Sequence, residues 1–273
     1  MTGVLVRVAI IAAVLVVEGF IVHAVGTTPV VVRMAGFSAR LRPRVVVACV
    51  LLIANALAVG VWSIMVGDFP LSVSQVLSAV FGDGGKDAEF IVQTLRLPRA
   101  LTAMMVGAAL GMSGAVFQSI ARNPLGSPDI VGFESGAAFG AVVVITVWHG
   151  SSVQVALGAV AGGLVTALLV YVLAWRNGLA ASRLVLVGIG IGFAASAAVD
   201  YMITRAQIYD VQRAAVWLTG SLNGRSWDDV RTVGVGLAVV APLIVIAQRQ
   251  LDRIELGDDA ASALGVRVNR TKL

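Results

Sequence analysis

The sequence predicts an all-α, polytopic membrane protein, and three observations carry that prediction. Of the 273 residues, 58% are hydrophobic and 13% are charged, whereas a soluble domain carries about 25% charged residues. The apolar residues fall into blocks close to the roughly 20 residues that a membrane-spanning helix needs. The blocks lack the alternation of barrel strands, and only helices or closed barrels satisfy the backbone in lipid. We therefore expect about six transmembrane helices in one bundle.

Charge and motif content exclude several functions. The net charge of +5 does not indicate a nucleic-acid partner, because the basic residues stand at the ends of apolar blocks, where they act as topology signals. The single cysteine, Cys49, cannot form a disulfide within the chain. No phosphate-binding loop is present, so the chain cannot hydrolyse ATP by that route. His23 and His149 are far apart in sequence. We expect no catalytic residue, no metal site and no cofactor.

The chain begins with an extension, residues 1–32, that is distinct from the transmembrane domain expected over residues 33–273. Its apolar run, Val8–Val25, contains Glu18. Three interpretations stay open: an extra transmembrane helix, a segment like a signal peptide, or a start codon assigned too far upstream. A carboxylate at mid-depth costs up to ~3 kcal/mol on insertion scales, which weakens the first.

The first predicted span, Val45–Val66, follows a cluster of arginines and therefore runs from inside to outside. An acidic external segment comes next, with a short helix at Ser72–Phe81. The chain returns inward through Ala100–Ile120. This topology leaves Arg96 and Arg99 outside, against the positive-inside rule. The pair either snorkels at the interface or binds carboxylates of an external partner.

A cytoplasmic turn separates the next two spans. Pro124 and Pro128 lack backbone donors and restrict the residues before them, so both helices must stop there. We expect Asn123, Pro124, Gly126 and Pro128 to shape this turn. The remaining expected spans are Ile130–Trp148, Val153–Trp175, Leu184–Tyr201 and Thr232–Gln248, with a short interfacial helix at Ala214–Leu218.

Glycines recur at helical spacing in several spans, which puts small residues on one face of each helix. Such faces let membrane helices approach closely. Tight packing alone is the commoner explanation. The functional alternative is a pathway wall, for which Gly188, Gly192 and Ser196 are the candidates.

The cytoplasmic segment 249–266 reads as two short helices joined at Gly257. Asp258 or Asp259 caps the second helix, and Ala260, Ala261 and Leu264 form a small apolar face before Gly265. A helix this short is marginal alone in water. It is either ordered by a partner's groove or a plain amphipathic surface helix.

Several motifs carry a family resemblance. They are Leu95–Arg99, Asn123–Asp129, Trp175–Gly178, Gly220–Gly224 and Gly257–Val266. In these motifs the chain closely resembles the permease subunits of bacterial iron–siderophore and vitamin B12 importers, a family of ABC transporters. Trp175–Gly178 and Gly220–Gly224 look most like the ferric-enterobactin-type permease. The resemblance covers about Arg33 to Leu273.

The resemblance implies a ten-helix permease in the cell membrane and an import function. Two permease subunits form the pore, two ATPase subunits bind below, and an external siderophore-binding protein delivers the iron chelate. By this resemblance Arg96 and Arg99 engage the binding protein, Asp258–Gly265 seats in the ATPase groove, and Leu184–Tyr201 lines the pathway. The expected cargo is a ferric siderophore of the catecholate type.

The chain also departs from the family pattern. It stops where the seventh span would begin, so we expect a C-terminally truncated permease that does not transport alone. Two alternatives stay open: a cobalamin or haem importer permease, and a non-transporting scaffold that only binds the ATPase. An ion-coupled carrier is disfavoured, because the polar mid-span residues Asn55 and Gln118 are neutral.

Overall fold

The structure is a computed structural model, and the chain divides into two compact units, Met1–Met104 and Met105–Leu273. The residues that the structure describes are 14, 16–19, 21–25, 28, 30–34, 37–123, 127–176, 181–255, 257, 261, 263 and 265.

The described chain is almost entirely helical, which confirms the predicted fold class. Five of its helices (α1, α3, α5, α6 and α8) are long and apolar enough to cross a membrane. A turn of 3₁₀ helix, Pro128–Val131, precedes α4. The helices are α1 (Pro43–Met65), α2 (Val73–Phe81), α3 (Lys86–Ala121), α4 (Phe133–Thr146), α5 (Ser152–Ala174), α6 (Ala181–Arg205), α7 (Ile208–Thr219) and α8 (Trp227–Ile254).

A two-stranded hairpin precedes α1, and the sequence analysis did not predict it. Strand β1 (Val30–Met34) pairs antiparallel with β2 (Phe37–Leu41). Earlier in the extension, residues 16–19 and 21–24 are helical. Arg44 donates hydrogen bonds to the carbonyl oxygens of Val25 (2.7 Å) and His23 (2.8 Å) at the end of that helical segment. The interpretation of residues 1–32 stays open, because residues 1–13 lie outside the described part.

Local sequence explains the start of the first unit. Pro43 stands in the first turn of α1, where its missing donor is harmless. Ser72 and Gln75 form a capping box at the start of α2, and Gly82 ends that helix with φ +89°. The predicted helix Ser72–Phe81 is therefore confirmed. The core of this unit is apolar and consists of Ile64, Leu71, Val76, Ala79, Val92 and Ala100.

Helix α3 begins well before the predicted start at Ala100, so that boundary was wrong. The helix opens at Lys86, widens into a π-helical stretch over Phe90–Arg96, and continues as α-helix to Ala121. A proline ring inside an α-helix clashes with the carbonyl four residues earlier. Directly before Pro98, the Leu97 N–H bonds five residues back to the Val92 carbonyl. The wider π turn thus accommodates Pro98 within the helix.

Helix α4 is short and lies among the other helices of the second unit. It has 14 residues, and at about 1.5 Å per residue it is shorter than the hydrocarbon core, which is about 30 Å thick. The predicted span Ile130–Trp148 is therefore a 3₁₀ turn followed by a short helix. Helix α4 packs against α5, α6 and α7. The core of this unit consists of Ala141, Val142, Val144, Ile145, Val155, Ala159, Val199 and Ala214.

The last two helices extend beyond their predicted bounds. Helix α7 contains the predicted interfacial helix Ala214–Leu218 and ends before Gly220, whose φ is +74°. Helix α8 starts at a capping box of Ser226 and Asp229 and continues through Pro242. It contains the whole predicted span Thr232–Gln248.

Candidate functional site

The arginine pair before the predicted second span contains two side chains with different environments. Arg96 is half-buried and donates hydrogen bonds of 2.7 Å to the carbonyl oxygens of both Ile64 and Phe69. Ile64 lies in the last turn of α1, where carbonyl groups lack helical partners. A Cβ on Gly67 would lie 2.6 Å from the Arg96 guanidinium, so glycine leaves the space that this cation fills. Arg96 therefore caps α1, a role that the sequence analysis missed.

Arg99 differs from Arg96. It is exposed, and it forms no hydrogen bond or ion pair with any described residue. Its guanidinium has five N–H donors in a fork that fits a carboxylate. Of the two arginines, only Arg99 presents a cation that the described residues leave available.

The turn before α4 is capped as its sequence suggests. Ser127 accepts a hydrogen bond from the Asp129 N–H (3.3 Å) and donates one to the Asp129 carboxylate (2.9 Å). Pro128 opens the 3₁₀ turn. On the other side, the Asn123 N–H bonds to the Gln118 carbonyl and closes α3. The predicted turn residues Pro124 and Gly126 lie outside the described residues.

Two of the predicted pathway residues pack against the start of α4. A Cβ on Gly188 would lie 2.6 Å from the Val131 side chain, and one on Gly192 would lie 3.0 Å from Gly132. Both glycines are buried. The geometry gives them a packing role: they let α6 approach the 3₁₀ turn at backbone distance.

Ser196, the third pathway candidate, is exposed, and its hydroxyl donates to the Ser135 hydroxyl at 3.2 Å. Gly190 also lies on the exposed side of α6, with no described atom within 4 Å of an added Cβ. A pathway-lining role for α6 stays a prediction, and the side of the helix that would line the pathway is the exposed side with Gly190 and Ser196.

The segment after α8 begins as a folded turn. Gly257 has φ +106°, and its N–H bonds to the Ile254 carbonyl (3.0 Å) while its carbonyl accepts from the Ala261 N–H (2.9 Å). Ile254 and Ala261 are both 0% exposed and pack together. Ala261 therefore faces its own chain. Among the other predicted contact residues, Gly265 has φ +79°, and Asp258, Asp259, Ala260 and Leu264 lie outside the described residues.

The turn between α4 and α5 is attached to α7 by polar contacts that the sequence analysis missed. His149, which has φ +47°, places its Nδ1 3.2 Å from a carboxylate oxygen of Asp210. Arg213 donates to the carbonyl of Gly150. Asp210 and Arg213 lie three apart on one helix, so their spacing could have suggested a shared target. The target itself is about sixty residues away in sequence.

An apolar groove opens between α3 and α8 inside the second unit, with a volume of ≈ 430 Å³. Its lining is apolar except for one serine, and it consists of Ala109, Met112, Ser113, Val116, Phe117, Val233, Gly236, Leu237, Val240 and Ile244. Within the described residues, no group of three or more His, Cys, Asp or Glu side chains could hold a metal ion.

The sequence of this helical chain matches a known family of transport proteins. Residues 51–273 match the FecCD transport family. The chain belongs to that family. It is therefore a multi-pass permease of the cell membrane, as predicted, and a translocation component rather than an enzyme.

Two curated relatives are similar over most of this chain. The ferric enterobactin transport system permease protein FepG of Escherichia coli K12 is 40% identical over 232 residues, which cover 84% of this chain and 70% of that protein. The achromobactin transport system permease protein CbrC of Dickeya dadantii is 39% identical over 238 residues, 86% of this chain and 68% of that one.

A solved structure has the same fold. It is an inward-facing conformation of a metal-chelate type ABC transporter, with a TM-score of 0.68 and 29% sequence identity. The match covers 83% of this chain and 68% of that chain. FecCD membership and this fold together identify the chain as a permease of the ABC importer type.

Proposed function

We propose that this chain forms part of a permease that carries a ferric siderophore of the catecholate type across the cell membrane. The observation that carries the proposal is the 40% identity to a permease named for ferric enterobactin, which extends over 84% of this chain. The motifs Trp175–Gly178 and Gly220–Gly224 lie inside the matched family region and support the same class of cargo.

The proposal includes partner subunits, because the chain has no phosphate-binding loop of its own. Two ATPase subunits supply the energy and contact the segment 249–266. In this segment Ala261 packs inward against Ile254, and the proposed contact residues are Gly257, Asp258, Asp259, Ala260, Leu264 and Gly265. A second permease subunit completes the pore beside the exposed side of α6. In this arrangement Gly188 and Gly192 set the position of α6, and Ser196 faces the cargo.

An external siderophore-binding protein delivers the cargo in this proposal. Arg99 is its docking cation, because that side chain is exposed and has no ion-pair partner among the described residues. Arg96 supports the same corner by capping α1. The proposal therefore divides the arginine pair into one contact residue and one supporting residue.

Uptake of labelled substrates tests the cargo. Cells that lack the gene, and the same cells with the gene restored, are supplied in turn with radio-iron enterobactin, radio-iron hydroxamate siderophore and labelled cobalamin. We expect the deletion to abolish enterobactin-iron uptake, the restored gene to return it, and the other two cargoes to enter normally. Loss of cobalamin uptake alone would instead support the alternative importer of the same family.

The same experiment addresses the scaffold alternative. A non-transporting scaffold predicts that uptake of all three cargoes survives deletion while the ATPase still co-purifies with the tagged chain. Normal enterobactin-iron uptake in the deletion strain would overturn the proposed function.

A further inference from the structure

The end of α3 is joined to the end of α8 by one side-chain hydrogen bond. The Ser119 hydroxyl donates to a carboxylate oxygen of Glu255 at 2.7 Å, although the two residues are 136 positions apart. A hydroxyl bonded to a carboxylate is a charge-assisted hydrogen bond, shorter and stronger than one between neutral groups. Ser119 lies in the last turn of α3, and Glu255 is the C-cap of α8.

The chain around this bond is folded on both sides. Past Ser119, Arg122 turns the chain with φ +52° and reaches the neighbourhood of Gly257, where an added Cβ would lie 3.4 Å from its guanidinium. On the two sides of Glu255 along the chain, Ile254 and Ala261 are buried together. The bond therefore joins α3 to the folded start of the segment 249–266, not to a loose tail.

An apolar groove lies between α3 and α8 on the side of this bond that leads away from the segment 249–266. The groove of ≈ 430 Å³ has Phe117 on α3 and Ile244 on α8 among its lining residues. Where the groove is open, its lining side chains lack packing partners on that side. The polar contact at the helix ends is consequently an important connection between α3 and the segment that follows α8.

We infer that Ser119 is a positioning residue for coupling: through Glu255 it ties α3 to the segment 249–266, so both helix ends move together when the ATPase displaces that segment. The inference rests on the proposed function. It concerns how motion spreads from the segment and not whether the ATPase binds there. Without the bond, displacement reaches α8 by covalent continuity while α3 lags behind.

The test uses the complete importer, assembled with its ATPase and binding protein in proteoliposomes, with ferric enterobactin as the probe. For Ser119→Ala we expect unchanged ATPase co-purification and unchanged basal ATP hydrolysis. Stimulation of hydrolysis by the loaded binding protein should fall about threefold, as expected from loss of one net hydrogen bond. Ser119→Thr keeps the hydroxyl and should retain stimulation. Ser113→Ala, on the groove side of α3, is the matched control.

Further variants at Ser119 and Glu255 separate positioning from a general structural defect. Combining Ser119→Ala with Glu255→Leu should lower stimulation no further than either change alone, because both remove the same contact. Ser119→Asp places two carboxylates together and should reduce stimulation most, and adding Glu255→Lys should restore part of it. Equal stimulation in the wild type and Ser119→Ala would overturn the inference, as would full additivity of the double variant. A wild-type importer without any stimulation would instead contradict the proposed function.

Discussion

Two regions of the second unit share the same glycine spacing, but they differ in whether another helix packs against the glycine face. Between α4 and α5, an added Cβ on Gly140 would overlap the Gly158 carbonyl, and one on Gly162 would overlap the Gly136 carbonyl. On α3, the glycines at 107, 111 and 114 have no described atom within 4 Å of an added Cβ. The first region is packed at backbone distance, whereas the second is open.

The difference shows what glycine spacing encodes. A run of glycines every three or four residues places a small face on a membrane helix and permits close approach. Whether another helix takes that place depends on contacts that are distant in sequence. Substitutions at matched positions in the two regions can therefore separate glycines required by packing from glycines that the described chain leaves uncovered.

The largest expected effect comes from filling a packed position. Gly140→Leu forces α4 away from α5 and should destabilise the protein by about 3 kcal/mol or more, at the upper end of overpacking effects. The matched control, Gly111→Leu on the open face of α3, should not destabilise the protein and should stabilise the helix by up to about 1 kcal/mol, because leucine favours helices over glycine. Thermal unfolding in detergent and the yield of monodisperse protein measure both. Equal losses at the two positions would refute the contrast.

The arginine pair gives a similar contrast, between a side chain with hydrogen-bond partners and one that is exposed. Arg96→Ala removes two hydrogen bonds, one to the Ile64 carbonyl in the last turn of α1 and one to the Phe69 carbonyl in the loop after it, and should cost about 2 kcal/mol. Arg99→Ala removes an exposed cation and should leave stability within about 0.5 kcal/mol of the wild type. Thermal unfolding measures these changes.

Arg99 also has a binding consequence. Arg99→Glu should weaken docking of the binding protein because it reverses the charge offered to a carboxylate. Titration of labelled binding protein onto the permease in nanodiscs measures the affinity. Unaltered affinity would contradict the docking role and favour the alternative, in which Arg99 snorkels at the membrane interface. A stability loss for Arg99→Ala as large as that for Arg96→Ala would refute the division of the pair.

A smaller effect is expected where α7 meets the α4–α5 turn. The His149 side chain is 61% exposed, against 14% for Asp210, so this side-chain contact is well solvated on one side. Exposed pairs contribute about 0.2–1 kcal/mol. His149→Ala and Asp210→Asn should each lower stability within that range, and the double variant should be no worse than either. Thermal unfolding of the three variants measures the coupling, and additive losses would show that the pair contributes nothing.

The smallest substitution, glycine to alanine, should change the free energy of unfolding in opposite directions in the two regions. Gly114→Ala on α3 meets no described atom and should stabilise the helix by up to about 1 kcal/mol, because alanine favours helices over glycine. Gly162→Ala makes the same exchange against the Gly136 carbonyl and should destabilise. Parallel thermal unfolding of both variants measures the sign. Stabilisation by Gly162→Ala would show that α4 and α5 can move apart at little cost, and it would contradict the contrast between the two regions.

Local signals and composition predicted much of this fold. Apolar length identified the spans, because it depends on neighbouring residues. The short helix at Ser72–Phe81 was also predicted, and the structure starts it at a local capping box. The π stretch before Pro98 escaped prediction because a proline usually marks a boundary. The short length of α4 also escaped, because a helix surrounded by protein is as apolar as one that faces lipid.

The candidate site was harder to predict than the fold. The family motifs led to Arg96 and Arg99, but only the carbonyl groups of Ile64 and Phe69 distinguish a capping arginine from an available one. The partners of Ser119 and His149 lie far along the chain. No local pattern encodes such pairs, because they depend on how the helices are arranged in space.

ATP-dependent iron accumulation tests the account most directly. The permease, assembled with its ATPase in proteoliposomes that contain ATP, is supplied from outside with binding protein loaded with radio-iron enterobactin. We expect iron to accumulate inside, and accumulation to stop when a non-hydrolysable analogue replaces ATP. Accumulation that persists with the analogue, or its absence from vesicles that contain all subunits and ATP, would contradict an ATP-driven ferric siderophore importer.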